Sequence, residues 1–213
     1  MSQIVPNYPP YAKRSVRDDG TWAAALKKDN VTLTSSGILS IEEHGIRTQD
    51  DVLHGCDVII YGTGFRASEF LSTIDIRGRN SVDLQEQWAG DARAYWGITI
   101  PNFPNFFCLY GPNTNLNVNG STVLFSEAAV EYTLECIKLL PTTGHRALDI
   151  GWEAFDEYNE WIDASNKLVA AGVSTVNSWY RNALGRLSQN WPLTTLEYWN
   201  GTRTPKVADY ELL

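Results

Sequence analysis

Two short apolar runs that end in glycine constrain the fold of this chain more than any other feature. The first is Asp57–Tyr61, followed by Gly62-Thr-Gly64, and the second is Phe103–Tyr110, followed by Gly111-Pro112. Continuous runs of this kind are typical of central parallel strands, which are buried on both faces. A central strand needs neighbours on both sides, and the sequence offers only one hairpin besides, predicted over residues 38–49. We therefore predict an α/β chain whose sheet is incomplete by itself.

Helix caps, periodicity and turn residues predict the remaining elements. A short helix is expected at residues 21–28 and a β-branched strand at residues 31–34. Two longer amphipathic helices are expected, one over about residues 121–140 and one over residues 152–170. Residues 174–213 are punctuated by glycine and proline and are predicted to be irregular.

Composition and charge exclude several classes of function. The 17 basic residues are outnumbered by 25 acidic ones, and the net charge of −8 argues against a nucleic-acid partner, which needs a basic face. No apolar run reaches the roughly 18 residues needed to cross a bilayer, and no secretory signal opens the sequence, so we expect no membrane partner and a cytoplasmic location. The three cysteines are widely spaced without a C-x-x-C pair, which predicts reduced, packed thiols and no metal site.

One glycine motif invites a cofactor interpretation. The segment Gly62-Thr-Gly64-Phe-Arg-Ala67 formally matches the dinucleotide fingerprint G-x-G-x-x-A after a predicted strand. The run that follows, Ser68–Ser72, is too short for the crossover helix of that motif. We therefore expect a glycine turn that lets backbone approach a bound cofactor, rather than a pyrophosphate loop. Neither G-x-S-x-G nor G-x-x-x-x-G-K-[ST] occurs, which excludes an α/β-hydrolase nucleophile elbow and a P-loop.

Five segments, in order along nearly all of the chain, match motifs that are specific in combination. They are Tyr8–Arg14, Asp57–Phe65, Tyr95–Phe107, Tyr110–Leu116 and Ser178–Pro192. In these segments the chain resembles the class B flavoprotein monooxygenases, and among them the Baeyer–Villiger monooxygenases of the 4-hydroxyacetophenone monooxygenase type. Both G-x-G-x-x-G fingerprints of that family and its F-x-G-x-x-x-H-x-x-x-W-P signature are absent from this sequence. The chain thus resembles the C-terminal part of such an enzyme.

The resemblance implies a fold and a domain organisation. The chain would be α/β, the closing portion of a flavoprotein with two Rossmann-like dinucleotide-binding domains and a C-terminal helical extension. Residues 1–66 would close the NADPH-binding domain, residues 67–145 would close the FAD-binding domain, and residues 146–213 would form the extension. A missing N-terminal half is then an expected partner, because full binding of FAD and NADPH needs it.

The resemblance also implies an activity. Members of the family use FAD and NADPH to insert one oxygen atom of O₂ into a ketone, giving an ester or lactone, or to oxidise a sulfide; the flavin supplies the oxygen chemistry and the protein positions it. The competing hypothesis is a truncated or degenerate fragment that binds no cofactor and acts at most as a protein-interaction module, through its apolar sheet edge. Flavin absorbance of the purified protein separates the two.

Residues of these motifs would take the functional positions of the family. Arg14 is the expected catalytic residue, because the family's arginine stabilises the negatively charged oxygenated flavin and also contacts the nicotinamide cofactor. Lys13 is expected to bind the 2′-phosphate of NADPH, a point-charge contact that a lysine can make. The further expected cofactor-binding residues are Thr63, Gly64, Phe65, Gly111, Asn113, Thr114 and Trp179. For Trp179, packing in the core is the alternative. The expected substrate residues are Leu116, Asn117 and Val118.

Overall fold

The computed structural model describes residues 4–15, 18–117, 120–173 and 176–213. The chain forms two compact units, the first made of Met1–Asn7 with Ser15–Phe65 and the second of Tyr8–Arg14 with Arg66–Leu213. The domain division that the resemblance implies, with its first boundary after residue 66, stays a prediction. The segments 67–145 and 146–213, which the sequence assigns to separate domains, both fall in the second unit.

The first unit is built on a small antiparallel sheet. It contains α1 (Thr21–Ala25), β1 (Ile38–Glu42), β2 (Gly45–Thr48) and β3 (Leu53–Gly55). β1 pairs with β2 and β2 pairs with β3, both in the antiparallel sense. Gly45 is needed at the tight turn, because a Cβ there would collide with the carbonyl oxygen of His54. The hairpin predicted over residues 38–49 is confirmed.

Two predicted strands of the first unit do not form. Residues 31–34 and 57–61 carry no regular secondary structure, and α1 ends at Ala25 instead of residue 28. The side chains of Val58 and Ile60 are 75% and 91% exposed, so the run at 57–61 is not a buried strand. Among the described residues no strand pairs with this run, and without a neighbour its backbone lacks the ladder that would bury it.

The strand predicted at Phe103–Tyr110 is wrong as well. This segment is a series of turns, in which Asn105 and Tyr110 have positive φ angles of 55° and 58°. Residues in the left-handed region break an extended path, and Pro104 lacks the N–H that a central strand would donate. The side chain of Phe103 is nevertheless buried, so the apolar run enters the core as turns.

The second unit is mostly helical. Its helices are α2 (Leu84–Trp88), α3 (Thr122–Thr143), α4 (Trp152–Asn166), α5 (Ala170–Val173) and α6 (Thr195–Gly201), with 3₁₀ turns at Arg79–Ser81 and Val207–Asp209. Two short strands, β4 (Leu148–Ile150) and β5 (Tyr210–Leu212), pair antiparallel. Of the helices described, none is both long and apolar enough to cross a membrane. The combination of helices and short strands agrees with the predicted α/β class.

The longest helix follows its predicted start but not its predicted end. α3 begins directly after Ser121, and it continues through Pro141 before it stops at Gly144. Gly144 has a φ of 74°, the left-handed conformation that commonly ends a helix. Pro141 lies in the last turn, where the loss of one intrahelical hydrogen bond disturbs little of the helix.

The C-terminal region is more regular than predicted. The helix expected at residues 152–170 ends at Asn166, and α5 follows it as a separate turn. Residues 174–213, predicted to be irregular, contain α6 and β5. A capping box starts α6, in which the side chains of Thr194 and Glu197 satisfy each other's backbone N–H groups.

An aromatic core holds the second unit together. Its buried aromatic members are Tyr95, Phe125, Tyr132, Phe155, Tyr158, Trp191, Tyr198 and Tyr210. The rings of Phe125 and Tyr198 stack with centroids 4.0 Å apart, and the hydroxyls of Tyr132 and Tyr210 are hydrogen-bonded at 2.6 Å. The core therefore joins α3 to α6 and to the β4–β5 pair, with the polar ends of its tyrosines satisfied in part by one another.

The three cysteines differ in their surroundings. Cys108 and Cys136 are buried and Cys56 is exposed. Burial raises the pKa of Cys108 to about 11 and that of Cys136 to about 12, so both thiols stay protonated at neutral pH. The prediction of packed thiols is confirmed for these two and is wrong for Cys56.

Candidate active site

Two segments that are far apart in the sequence run side by side in the second unit. The Asn113 amide donates to the Ser188 carbonyl at 2.9 Å. The Asn115 amide donates to the Gln189 carbonyl at 2.9 Å, and its own carbonyl accepts from the Trp191 amide at 2.8 Å. Both segments belong to the motifs singled out in the sequence, so the fold brings the Gly-Pro-Asn-Thr-Asn stretch and the Asn-Trp-Pro stretch to one place.

Asn113, an expected cofactor residue, is buried and bound entirely within the protein. Its Nδ2 donates to the carbonyl of Leu187 at 2.8 Å and to that of Asn190 at 3.1 Å. Its Oδ1 accepts a hydrogen bond from Nη1 of Arg186 at 2.9 Å. Because its backbone N–H is used as well, Asn113 has no donor left for a ligand. Its observed role is to hold the loop in place.

Thr114 and Gly111 are likewise engaged inside the loop. The Thr114 hydroxyl donates to the Gly111 carbonyl at 2.7 Å. A Cβ on Gly111 would collide with the carbonyl oxygen of Gly97, and a Cβ on Gly97, whose φ is 72°, would collide with the Thr114 side chain. The two glycines therefore permit a close backbone approach. Internal packing by itself accounts for the glycine at position 111.

A network of four charged side chains holds the loop around Asn113 in place. Arg186, whose side chain is 11% exposed, donates to Asp91 through Nε and to Asp163 through Nη1 at 3.2 Å. Arg93 binds the same two carboxylates, Asp91 at 2.8 Å and Asp163 at 2.9 Å. Burial raises the pKa of Asp91, but the hydrogen bond and charge of Arg186 and the charge of Arg93 outweigh it, so the pKa lies below its ordinary value. Arg186 thereby reaches Asn113 from an anchored position.

Asn117 ties the loop Tyr8–Arg14 to the C-terminal segment. Its Nδ2 donates to the backbone carbonyl of Tyr11, and its Oδ1 accepts from the hydroxyl of Tyr180 at 2.9 Å. Tyr180 is fully buried, and its ring centroid lies 5.7 Å from that of Trp179, which is 42% exposed. The loop that carries Lys13 and Arg14 is thus fixed by an expected substrate residue.

The two adjacent cations of this loop behave differently. Arg14 is exposed, and Lys13 is half-buried with its ammonium 5.3 Å from the ring centroid of Tyr8. Burial raises the pKa of both Tyr110 and Tyr180, and the positive charge of Arg14 opposes that rise at each hydroxyl. The charge of Arg14 therefore reaches the hydroxyls of both tyrosines.

A cleft of about 580 Å³ opens in the second unit next to Asn117. Tyr11 and Asn117 form one part of its wall, and residues 169–171, residues 190–195 and Glu197 form the rest. The volume falls within the roughly 300–1,000 Å³ typical of small-molecule sites. Most of the lining side chains are apolar, so the cleft suits an apolar small molecule close to the loop of Lys13 and Arg14.

Sequence reasoning missed two parts of this site. It gave no role to Arg186, although Arg186 stands in a matched motif, and it predicted residues 174–213 to be irregular, although they contain α6 and part of the cleft wall. The signals available were the capping box of Thr194 with Glu197, which predicts α6, and the Asn-Trp-Pro stretch before it. Only the folded chain shows that these residues face Asn117.

The remaining expected residues differ in their locations. Thr63, Gly64 and Phe65 belong to the first unit, where Gly64 has a φ of 79° and the side chain of Phe65 is 91% exposed. Leu116 is half-buried and packs against the aromatic core. Val118 lies outside the described residues. The expected residues that the structure brings together are therefore those of the second unit, around Asn117.

Comparison with known proteins gives relatives of one kind, although no protein-family model matches the chain. The chain is 33% identical over 98% of its length to an FAD-binding monooxygenase of Aspergillus niger, of which it covers 34%. It is 31% identical over its whole length to a Baeyer–Villiger monooxygenase of Streptomyces coelicolor, of which it covers 41%. Its homologues are Baeyer–Villiger and FAD-binding monooxygenases.

Solved structures agree with these relatives. A steroid monooxygenase bound to NADP matches the whole chain with a TM-score of 0.79 at 31% identity, and a structure of OTEMO in complex with FAD and NADP matches it with a TM-score of 0.82 at 27% identity. The chain covers 40% and 41% of those two proteins. The resemblance to flavin monooxygenases is therefore confirmed, and the chain spans well under half the length of these relatives.

The residues present fit a phosphate-bearing cofactor. Lys13 and Arg14 place two cations on one short loop, and phosphate groups bind where such charge is concentrated. The side chain of Ser121 makes no capping hydrogen bond at the start of α3. Asn113 and Thr114 fit only as supports, since their side chains are used within the loop.

Proposed function

We propose that this chain is the C-terminal part of an FAD- and NADPH-dependent Baeyer–Villiger monooxygenase of the 4-hydroxyacetophenone monooxygenase type. Its reaction would insert one oxygen of O₂ into a ketone, giving an ester or lactone, or would oxidise a sulfide. The observation that carries the proposal is the link through Asn117, which joins the loop of Lys13 and Arg14 to the wall of an apolar cleft. The relatives, which are monooxygenases, support it.

Arg14 and Lys13 have separate roles in this proposal. Arg14 is the catalytic residue and stabilises the negative charge that develops beside the substrate; a cation fixed in advance does this with little reorganisation. Lys13 binds the 2′-phosphate of NADPH as a point charge. The backbone of their loop is held at Tyr11 by Asn117, which also binds the buried Tyr180. Bound FAD supplies the oxygen chemistry.

The other expected residues shape the surroundings of the two cofactors. Gly111, Asn113 and Thr114 hold the loop beside FAD, and Trp179 covers NADPH. Thr63, Gly64 and Phe65 form the glycine turn that lets backbone approach the nicotinamide cofactor. Leu116, Asn117 and Val118 are the proposed substrate residues. The apolar part of the cleft wall suits the apolar portion of a substrate.

We further propose the domain organisation that the motifs suggest. Residues 1–66 close the NADPH-binding domain and residues 67–145 close the FAD-binding domain, both Rossmann-like, while residues 146–213 form the extension. An N-terminal half with both G-x-G-x-x-G fingerprints is the expected partner, and the location is cytoplasmic. The exposure of Val58 and Ile60 supports this arrangement, because an apolar run of that kind suits a strand whose neighbours come from the partner.

The same exposure favours a second candidate function. A fragment without cofactor would also expose residues 57–65, and it could bind another protein through them. The two candidates predict different behaviour when the partner half is supplied. We would join this chain behind the N-terminal remainder of the Streptomyces coelicolor relative and purify the chimera.

The chimera distinguishes the candidates by colour and by turnover. We expect flavin absorbance and oxidation of NADPH that a ketone or a sulfide accelerates. A colourless chimera, with the intact relative as the positive control, would favour the fragment without cofactor. The Arg14→Ala chimera serves as the matched control, because it should keep the flavin and lose the oxygenation.

A further inference from the structure

A second pocket lies between α4 and the 3₁₀ turn before β5. Its volume is about 220 Å³, and four aromatic side chains line it: Tyr95, Trp96, Tyr158 and Trp161. Two carboxylates, Glu157 and Asp209, and one ammonium, Lys206, complete the lining together with Ala154. The pocket plays no part in the function proposed above. Its lining combines aromatic rings with carboxylates.

The helical side of the pocket follows from residue spacing. Ala154, Glu157, Tyr158 and Trp161 are separated by three, one and three positions, which places them on one face of α4. A helix thus presents one small side chain, one carboxylate and two rings to the same space. Trp161 is 41% exposed and Tyr158 is buried, so the aromatic surface runs from the core to the solvent.

The opposite side is held by the backbone. Within the 3₁₀ turn, the Asp209 amide donates to the Lys206 carbonyl at 2.9 Å. The Asp209 carbonyl accepts from the Gly151 amide at 2.8 Å, and its Oδ2 accepts from the Tyr95 hydroxyl at 2.6 Å. Asp209 therefore keeps its position without a ligand.

The four rings are inclined to one another rather than stacked. The rings of Trp96 and Tyr158 are 5.0 Å apart at 49°, and those of Trp96 and Trp161 are 5.9 Å apart at 65°. Tyr95 lies 5.2 Å from Tyr158 at 64°. The rings contact one another, and all four also line the pocket, so a cation held there meets aromatic side chains of α4 and of the Tyr95–Trp96 segment.

We infer that this pocket binds the head group of a small quaternary ammonium compound. The ring faces attract a cation that is weakly hydrated, and a trimethylammonium group offers its methyl groups to several rings at once. Glu157 and Asp209 add two negative charges against the single positive charge of Lys206, so the pocket favours a cation. The group can come from a free molecule such as choline or from a trimethylated lysine side chain.

The test compares a cation with its neutral analogue. Choline and 3,3-dimethylbutan-1-ol differ in that a carbon atom replaces the charged nitrogen, so their shapes are nearly equal. We would titrate the purified chain with each by calorimetry and by saturation-transfer NMR. We expect choline to bind at least about tenfold more tightly than the alcohol. Equal binding of the two, or no choline binding by folded protein, would overturn the inference.

Variants of the lining test the assignment residue by residue. Trp161→Ala and Glu157→Gln change exposed side chains of α4 and should weaken choline binding by about three- to thirtyfold. Lys206→Gln removes the like charge and should strengthen it. Trp199→Ala is the matched control, because Trp199 is half-exposed on α6 outside the pocket and should leave binding unchanged. A loss as large in Trp199→Ala as in Trp161→Ala would contradict the site.

Two further arms remove ambiguity. A peptide with trimethyllysine, titrated beside its unmethylated form, separates a side-chain ligand from a free one. Circular dichroism in the near ultraviolet reports whether the aromatic core of the second unit is folded in each sample. Should the isolated chain fail this check, the same titrations in the chimera decide the question, and an absence of choline binding there would overturn the inference.

Discussion

The two compact units differ in the burial of their apolar runs. In the second unit the run at residues 103–110 forms turns that bury Phe103 and Cys108, and a charge network fixes the loop that follows it. In the first unit the run at residues 57–61 is exposed, with Ile60 91% accessible. Two similar apolar runs thus differ in burial. Burial depends on the segments that pack against a run, and the sequence of the run does not specify those segments. In the first unit, among the described residues, this segment pairs with no strand.

The largest expected effect lies in the second unit, at Arg14. In the chimera, Arg14→Ala should lower the rate of ketone oxygenation by about 10²–10³-fold, because a fixed cation near developing negative charge is lost. Flavin reduction by NADPH should survive better, since hydride transfer does not build up that charge. Stopped-flow measurement of the two half-reactions separates them.

Arg17→Ala is the neighbouring control for Arg14. Arg17 is followed by Asp18 and Asp19 in the sequence, so a role for its charge in local pairing or solvation is expected. If Arg17→Ala proves the more damaging change, or if Arg14→Ala oxygenates at nearly the normal rate, the catalytic assignment is wrong.

The next effect concerns the stability of the second unit. Arg186→Ala leaves Asp91 and Asp163 with one cation instead of two and removes a partner of Asn113. We expect a loss of about 3 kcal/mol in the free energy of unfolding, since a partly buried ion network loses one member. Urea unfolding followed by tryptophan fluorescence measures it. Arg66→Ala is the matched control, because the side chain of Arg66 is 84% exposed. An equal loss of stability in Arg66→Ala would contradict a specific stabilising role for Arg186.

Lys13 should affect the choice of cofactor. In the chimera, Lys13→Ala should weaken the use of NADPH by about 1.5–3 kcal/mol while the use of NADH stays the same, because only NADPH carries the 2′-phosphate. Steady-state kinetics with both cofactors measure the difference. Equal losses of activity with NADPH and NADH would contradict the assignment of Lys13 to the 2′-phosphate.

The charge network also predicts a pH dependence. The pKa of Asp91 is lowered in the folded chain, so its contribution to stability is complete above the unfolded value of about 3.9 and is lost as pH falls through the lower folded value. The second unit should therefore lose stability below about pH 4. Asp91→Asn should lose less over that interval, as thermal unfolding at a series of pH values can show; an unchanged slope would mean that other carboxylates govern it.

The smallest effect is expected in the first unit. Ile60→Thr should change the stability of the isolated chain by no more than about 0.5 kcal/mol, because Ile60 is exposed there. In the chimera the same change should cost about 2 kcal/mol if the partner half buries the segment. Leu196→Thr, at an exposed position of α6, is the control and should be small in both proteins. A small effect of Ile60→Thr in the chimera would break the contrast between the units.

Local features of the fold could be predicted from the sequence, whereas contacts between distant segments could not. The hairpin at residues 38–49 follows from a turn at His44-Gly45 between short apolar stretches, and α3 starts at its predicted cap, Ser121. The exposure of residues 57–61 and the turns at 103–110 were beyond sequence reasoning, because both depend on which neighbours the backbone finds.

The candidate site was predictable to a similar extent. The motifs single out Arg14, Asn113 and Asn117, and in the structure these residues lie around one loop and one cleft. Their proposed roles stay predictions. The part played by Arg186 could not be foreseen, because its partners Asp91 and Asp163 are distant in the sequence and meet only in the folded chain.

The most direct test is whether an oxygen atom of O₂ enters the product. The chimera, supplied with NADPH and a ketone under ¹⁸O₂, should release an ester or lactone that carries one heavy oxygen atom, as mass spectrometry of the product can show. The Arg14→Ala chimera should bind flavin and give little labelled product. A flavin-loaded chimera that oxidises NADPH but leaves every offered ketone and sulfide unlabelled would contradict the proposal that this chain completes a monooxygenase.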